Sequence, residues 1–290
     1  MGVYQRMLET PVRELALREA LAVAGDMTVR EAVTRMRVKG IGCAIVTDRS
    51  GKPRGMFTEA MLRHLLVHNM AALGRPIEEF MADRFPWVEE SDPVSMVLEA
   101  MQSKNYRFVC VVDDQGRATA ITGQKGLIEF LAKHGPASNS GCRQPSDPPA
   151  PDPLERAMEN TPVSRIQTQP FTAVPPDMPT SEALGTLART EISCLMVSES
   201  GRLIGVFGDR DALDHVTLEY ERVIHQPVRN VMTGEPLSIR ANESVAAAVQ
   251  VMAESGYRHL PVLDVDDTLV GIISPQRLIT FLQTYFDEAH

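Results

Sequence analysis

Gly256-Tyr257-Arg258-His259-Leu260-Pro261-Val262-Leu263-Asp264, followed closely by Leu269-Val270-Gly271-Ile272-Ile273-Ser274-Pro275-Gln276-Arg277, is the stretch whose reading decides the fold. Leu260 to Leu263 is short, apolar and bounded by polar residues, the pattern of a buried strand. Asp264 to Thr268 is acidic and reads as a turn, and Leu269 to Ile273 is a second short apolar run. Ser274 is a good N-cap, and Pro275 stands at the first helical position, where its missing N–H costs nothing. Upstream, Val245 to Ala253 is rich in small and apolar residues and reads as a helix. The unit is therefore helix, strand, turn, strand, helix.

The unit recurs four times. Pro11-Val12, Pro76-Ile77, Pro162-Val163 and Pro227-Val228 open the copies. The first two openings and the last two are each 65 residues apart, and the middle interval is longer by 21. Met36, Met101, Leu187 and Met252 recur on the helix before the first strand, and Gly55, Thr119, Gly205 and Gly271 recur at the second strand. A shared period with shared apolar positions marks a duplicated structural unit.

Val231-Met232-Thr233, the Gly-x-Arg-His-Leu-Pro-Val strand and the Gly-Ile-Ile-Ser strand end resemble the cystathionine β-synthase (CBS) domain family. The resemblance covers nearly the whole chain outside the middle linker and is strongest in the fourth copy. It implies an α/β (α+β) fold of four β-α-β-β-α repeats working in pairs, as two Bateman modules. The copies are expected at 10–68, 75–134, 160–220 and 226–285, with a proline-rich linker at 135–159. The family's paired clefts commonly bind adenosine-containing ligands such as AMP, ADP, ATP or S-adenosylmethionine, and regulate an attached or partner protein. Its modules commonly pair face to face, which implies a homodimer or other homo-oligomer.

Composition bounds the function. The 290 residues suit two domains, and each copy alone is too small to bury much surface. A net charge of −9 and a pI near 5.3 argue against general nucleic-acid binding, which needs a basic face. Neither a signal peptide nor an apolar run of membrane-spanning length is visible, so a cytoplasmic location without a membrane is the expectation. Cys43, Cys110, Cys142 and Cys194 have no metal or disulfide spacing. His64 and His68 lie one helical turn apart without an acidic neighbour and read as solvated side chains rather than metal ligands. No phosphate loop or nucleophile elbow is present, so no catalytic residue and no covalent cofactor is assigned.

Locally, Leu15 to Ala24 is rich in Ala and Leu and suggests a helix in place of the family's extended opening segment. Thr28 with Glu31 forms a capping-box signature ahead of a helix to Val38. Trp87, the lone tryptophan, reads as core or interface.

In the family, a Ser or Thr at the end of the second strand and an Asp three residues later contact the ribose hydroxyls. A carboxylate accepts both hydrogens of a cis-diol, and the site lies at a helix N-terminus. The matching pairs here read as Thr58 with Met61, Thr122 with Lys125, Gly208 with Asp211, and Ser274 with Arg277. Only Asp211 keeps the carboxylate. Thr58, Thr122 and Ser274 are equally read as helix caps. Lys125 and Arg277 place a cation in a first helical turn, against the macrodipole, where each either extends into solvent or faces an anion.

Arg258 and His259, with Arg107 at a similar position in the second copy, are the residues the resemblance offers to a ligand phosphate. Adenine would sit on the opening segments, at Thr168, Phe171 and Thr172 in the third copy and Thr233, Pro236 and Leu237 in the fourth. Two readings follow: a regulatory sensor of an adenosyl nucleotide signalling to a partner, or a ligand-free CBS scaffold or regulatory subunit acting through protein contacts.

Overall fold

The first repeat shows how this sequence builds its unit. In the computed structural model, which describes residues 2–102, 106–136, 153–166 and 171–287, a helix α1 (Val3–Glu9) precedes it. Two short strands follow, β1 (Arg18–Glu19) and β2 (Ala22–Ala24). The segment Leu15 to Ala24 is thus extended, not helical. Leu21 and Val23 face the core while Ala22 and Ala24 face out, the period-2 alternation of a strand. Pairing with neighbouring strands outweighs the helix propensity of its Ala and Leu.

Helix α2 (Val29–Lys39) starts with the expected capping box: the Glu31 N–H donates to Thr28 Oγ1 at 3.3 Å, and the Thr28 N–H donates to the Glu31 carboxylate at 3.0 Å. It stops at Gly40, whose φ of 65° is a left-handed cap. Strands β3 (Cys43–Thr47) and β4 (Pro53–Thr58) form the hairpin, and α3 (Glu59–His68) closes the repeat.

The second repeat has β5 (Trp87–Glu89), α4 (Val94–Gln102), β6 (Phe108–Val112), β7 (Ala118–Gly123) and α5 (Gln124–His134). Helix α6 (Pro153–Asn160) precedes the third, as α1 precedes the first. The third has β8 (Ala173–Val174), α7 (Thr180–Thr190), β9 (Cys194–Glu199), β10 (Arg202–Gly208) and α8 (Asp209–Asp211). The chain runs on from α8 through a π-turn at Ala212–Val216 to α9 (Tyr220–Val223). The fourth has β11 (Thr233–Gly234), β12 (Ile239–Arg240), α10 (Val245–Ser255), β13 (Leu260–Leu263), β14 (Leu269–Ile273) and α11 (Pro275–Asp287).

In every repeat a leading strand pairs parallel with the first hairpin strand: β2 with β3, β5 with β6, β8 with β9, β12 with β13. Two strands cross between repeats and lock them in pairs. β1 of the first repeat adds antiparallel to β7 of the second, and β11 of the fourth adds antiparallel to β10 of the third.

The two pairs then pack on each other. Helix α3 lies against α7 and the π-turn, so Leu62 and Leu66 share a core with Leu184, Leu187 and Leu213. Helix α5 lies against α10 and α11, so Ile128 and Leu131 share a core with Val249, Leu278 and Leu282. The face-to-face helical pairing expected of two copies is made here within one chain. Trp87 is 56% exposed on the sheet surface and is not a core residue.

Candidate functional site

The helix that follows each hairpin points its N-terminus toward the middle of the molecule. In three repeats the register is the same. Cys43 pairs with Thr58, Phe108 with Gly123 and Cys194 with Gly208. The first helical N–H then donates to the carbonyl preceding the first hairpin strand: Glu59 to Gly42 at 2.9 Å, Gln124 to Arg107 at 3.3 Å and Asp209 to Ser193 at 3.2 Å.

This repeated bond corrects the reading of the second copy. The residue equivalent to Thr58 is Gly123, not Thr122, and the one equivalent to Met61 is Gly126, not Lys125. Thr122 lies inside β7 and caps nothing; its hydroxyl is buried without a partner among the described residues. Gly123 holds a φ of 156°, and a Cβ there would collide with the Arg107 carbonyl. The period contained the signal: Thr58 follows Pro11 by the same 47 residues as Gly123 follows Pro76.

The other expected residues separate into two groups. Thr58 caps α3, its Oγ1 accepting from the Met61 N–H at 3.4 Å. Ser274 does not cap through its side chain: its hydroxyl is buried and has no partner among the described residues, and the same holds for Arg277 Nε. Neither Ser274 nor Arg277 lines the central cavity. Phe171 packs against Cys194, Met196, Val206 and Ile272, and the Thr172 carbonyl accepts from the Met196 N–H at 2.9 Å. Both therefore fasten the opening of the third repeat to its sheet. Thr168 lies outside the described residues. Leu237 is exposed, and so are His64 and His68; among the described residues no cluster able to hold a metal ion occurs.

Asp211, Gly208, Thr233, Arg258 and His259 do come together, around one cavity of about 300 Å³. Asp211 accepts from the Gly208 N–H at 2.8 Å and from the Thr233 hydroxyl at 2.7 Å. Burial pushes its carboxyl upward, opposed by these two hydrogen bonds. His259 Nε2 is hydrogen-bonded to Ser193 Oγ at 2.7 Å. Loss of water, then the charges of Arg107 and Arg258, push the imidazole down to about 3, so His259 is neutral at physiological pH.

Three charged residues to which the sequence reading gave no role, Glu59, Asp209 and Arg63, join Arg107 and Arg258 in an ion cluster, and Glu59 and Asp209 line this cavity with the two arginines. Glu59, its side chain fully buried, accepts from Arg107 at 3.3 Å and from Arg258 through the same oxygen, Oε1. Asp209 accepts from Arg107 at 3.2 Å and from Arg63 at 2.5 Å, and Arg63 also donates to the Ile192 carbonyl at 2.8 Å. Burial raises the Asp209 carboxyl, and the Arg107 and Arg63 charges oppose that shift. All four repeats thus contribute to one ion cluster. Glu59 and Asp209 hold the same position, first in the helix after the hairpin, and the two helices are brought face to face by the packing of the modules.

The cavity continues into a narrower, apolar one of about 80 Å³ lined by Ile41, Phe108, Ile121, Gly123, Gly126 and Met252. Arg18, Arg107, Lys125 and Arg258 border both.

The family model of the CBS domain matches residues 12–68, 77–133, 163–217 and 228–284. The chain belongs to the CBS domain family. Curated relatives include the Arabidopsis thaliana CBS domain-containing protein CBSCBSPB1, 23% identical over 287 residues, which cover 91% of this chain and 52% of the relative. The Bacillus subtilis CBS domain-containing protein YhcV is 32% identical over 112 residues, covering 39% of this chain and 79% of that protein. The chain spans about half the length of the Arabidopsis relatives it matches. Among solved structures, protein MJ1225 of Methanocaldococcus jannaschii, described as a candidate archaeal homologue of γ-AMPK, superposes with a TM-score of 0.76 at 16% identity, covering 94% of this chain and 99% of that one. That likeness concerns the fold. The CBS repeats here form two Bateman modules, and among the described residues no helix is long and apolar enough to cross a membrane.

Proposed function

We propose that this CBS-domain chain is a regulatory sensor that binds an adenosyl nucleotide of the AMP, ADP, ATP or S-adenosylmethionine type in the cavity lined chiefly by its second module and signals to a partner protein. The observation that carries the reading is the convergence of Asp211 and Thr233 with Arg258 and Arg107 on one cavity. A carboxylate and a hydroxyl suit a ribose diol, and guanidinium groups suit a phosphate. The neutral His259 is a hydrogen-bonding group there, not a counter-ion.

A ligand-free scaffold is the second reading, favoured by one fact. Asp211 and Arg258 already have partners inside the protein, Thr233 and Glu59. Calorimetry on the full chain separates the two. The sensor reading expects AMP to bind, and Asp211→Asn to weaken it about tenfold or more, since a charged hydrogen bond contributes about 1.5–3 kcal/mol. Failure of AMP, ADP, ATP, adenosine and S-adenosylmethionine alike to bind would leave the scaffold.

A further inference from the structure

We propose that Glu59 is a built-in anion that competes with a ligand phosphate for Arg107 and Arg258, and so sets which charged ligands the cavity accepts. This rests on reading the cavity as a phosphate site. Glu59 comes from the first repeat, Arg107 from the second and Arg258 from the fourth, so the Glu59–Arg258 contact spans the interface between modules. Only Oε1 is engaged. Oε2 is fully buried and has no partner among the described residues. A paired carboxylate normally uses both oxygens against a guanidinium fork, and a buried charged oxygen left unpaired is costly. Both arginines reach Glu59 through a single nitrogen, and Arg107 uses that same nitrogen for Asp209. Their remaining donors are uncommitted among the described residues, and both border the cavity.

The charge balance states the consequence. Arg63, Arg107 and Arg258 face Glu59 and Asp209, leaving one positive charge in excess. Withdrawing or neutralising Glu59 leaves two, the charge of a phosphomonoester dianion. With Glu59 in place, a phosphate that takes Arg258 Nη1 displaces it. Displacement breaks a contact between the first and fourth repeats, so ligand charge is read out as a change at the module interface.

The test is calorimetry on the full chain with inorganic pyrophosphate, AMP and adenosine. Glu59→Gln keeps the side-chain volume and an acceptor oxygen. It is expected to bind pyrophosphate and AMP about tenfold more tightly than the unaltered protein, with adenosine changed by less than about twofold. Adding Arg258→Gln to Glu59→Gln should abolish the gain. Equal or weaker pyrophosphate binding by a folded Glu59→Gln protein overturns the proposal. If circular dichroism shows that variant unfolded, Arg258→Gln alone decides: it must weaken pyrophosphate, and unchanged affinity, or no pyrophosphate binding by any folded protein, overturns the proposal. Pyrophosphate carries no adenosyl group. Failure of adenosine and AMP to bind while pyrophosphate responds to Glu59→Gln would overturn the adenosyl reading and leave this inference standing.

Discussion

Replacing Arg63 by methionine tests whether the buried ion cluster is organised as described. Arg63 is 5% exposed, donates to Asp209 at 2.5 Å and to the Ile192 carbonyl at 2.8 Å, and ties α3 of the first module to the third repeat. Methionine matches the aliphatic stem but leaves Asp209 buried with Arg107 as its remaining cation. Breaking a buried pair by removing one partner costs about 3–5 kcal/mol. The loss has a pH signature. Burial already raises the Asp209 carboxyl above its ordinary value in the folded protein, and losing Arg63 raises it further. The folded variant then binds a proton that the unfolded chain releases, so its stability falls as pH rises from the ordinary carboxylate value through the raised one. Urea unfolding at pH 5 and pH 8 should show a larger deficit at pH 8. The double variant Arg63→Met with Asp209→Asn should recover part of the loss, because no unpaired charge then remains. A deficit below about 1 kcal/mol, or one equal at both pH values, would refute the reasoning, since neither is compatible with a desolvated carboxylate held by Arg63.

Two further outcomes follow from the packing. Cleavage in the proline-rich stretch between Gly135 and Pro153 should leave two halves that co-elute on size-exclusion chromatography, because α3 shares its core with α7 and α5 shares its core with α10 and α11; halves that separate without denaturant would contradict the shared cores. Cys43, Cys110 and Cys194 are buried, and loss of water raises all three thiols, the latter two up to about 12. Mass spectrometry after alkylation of the native protein at pH 8 should find these three unmodified, since the thiolate is the reactive form.

Much of this protein was legible in its sequence because the deciding signals are local. The alternation of short apolar runs with turns and the Thr28–Glu31 capping box each lie within one repeat, where chain connectivity fixes which residues are neighbours, and the 65-residue period is read along the chain by comparing copies. The opening segment of the first repeat misled for the opposite reason. Its Ala and Leu content favours a helix locally, but its two strands are held by partners further along the chain, β2 by β3 and β1 by β7, the latter some hundred residues downstream at Ile121 and Ala120. Thr122 misled because a plausible residue type stood one place from the position that the hairpin register selects. The ion cluster could not be read along the chain at all. Glu59 meets Arg258 across 199 residues, and Arg63 meets Asp209 across 146. Each of these residues, read alone, is an ordinary charged side chain in the first turns of a helix or before a strand. Only the packing of one module on the other removes them from water together, and desolvation is what turns scattered surface charges into a site.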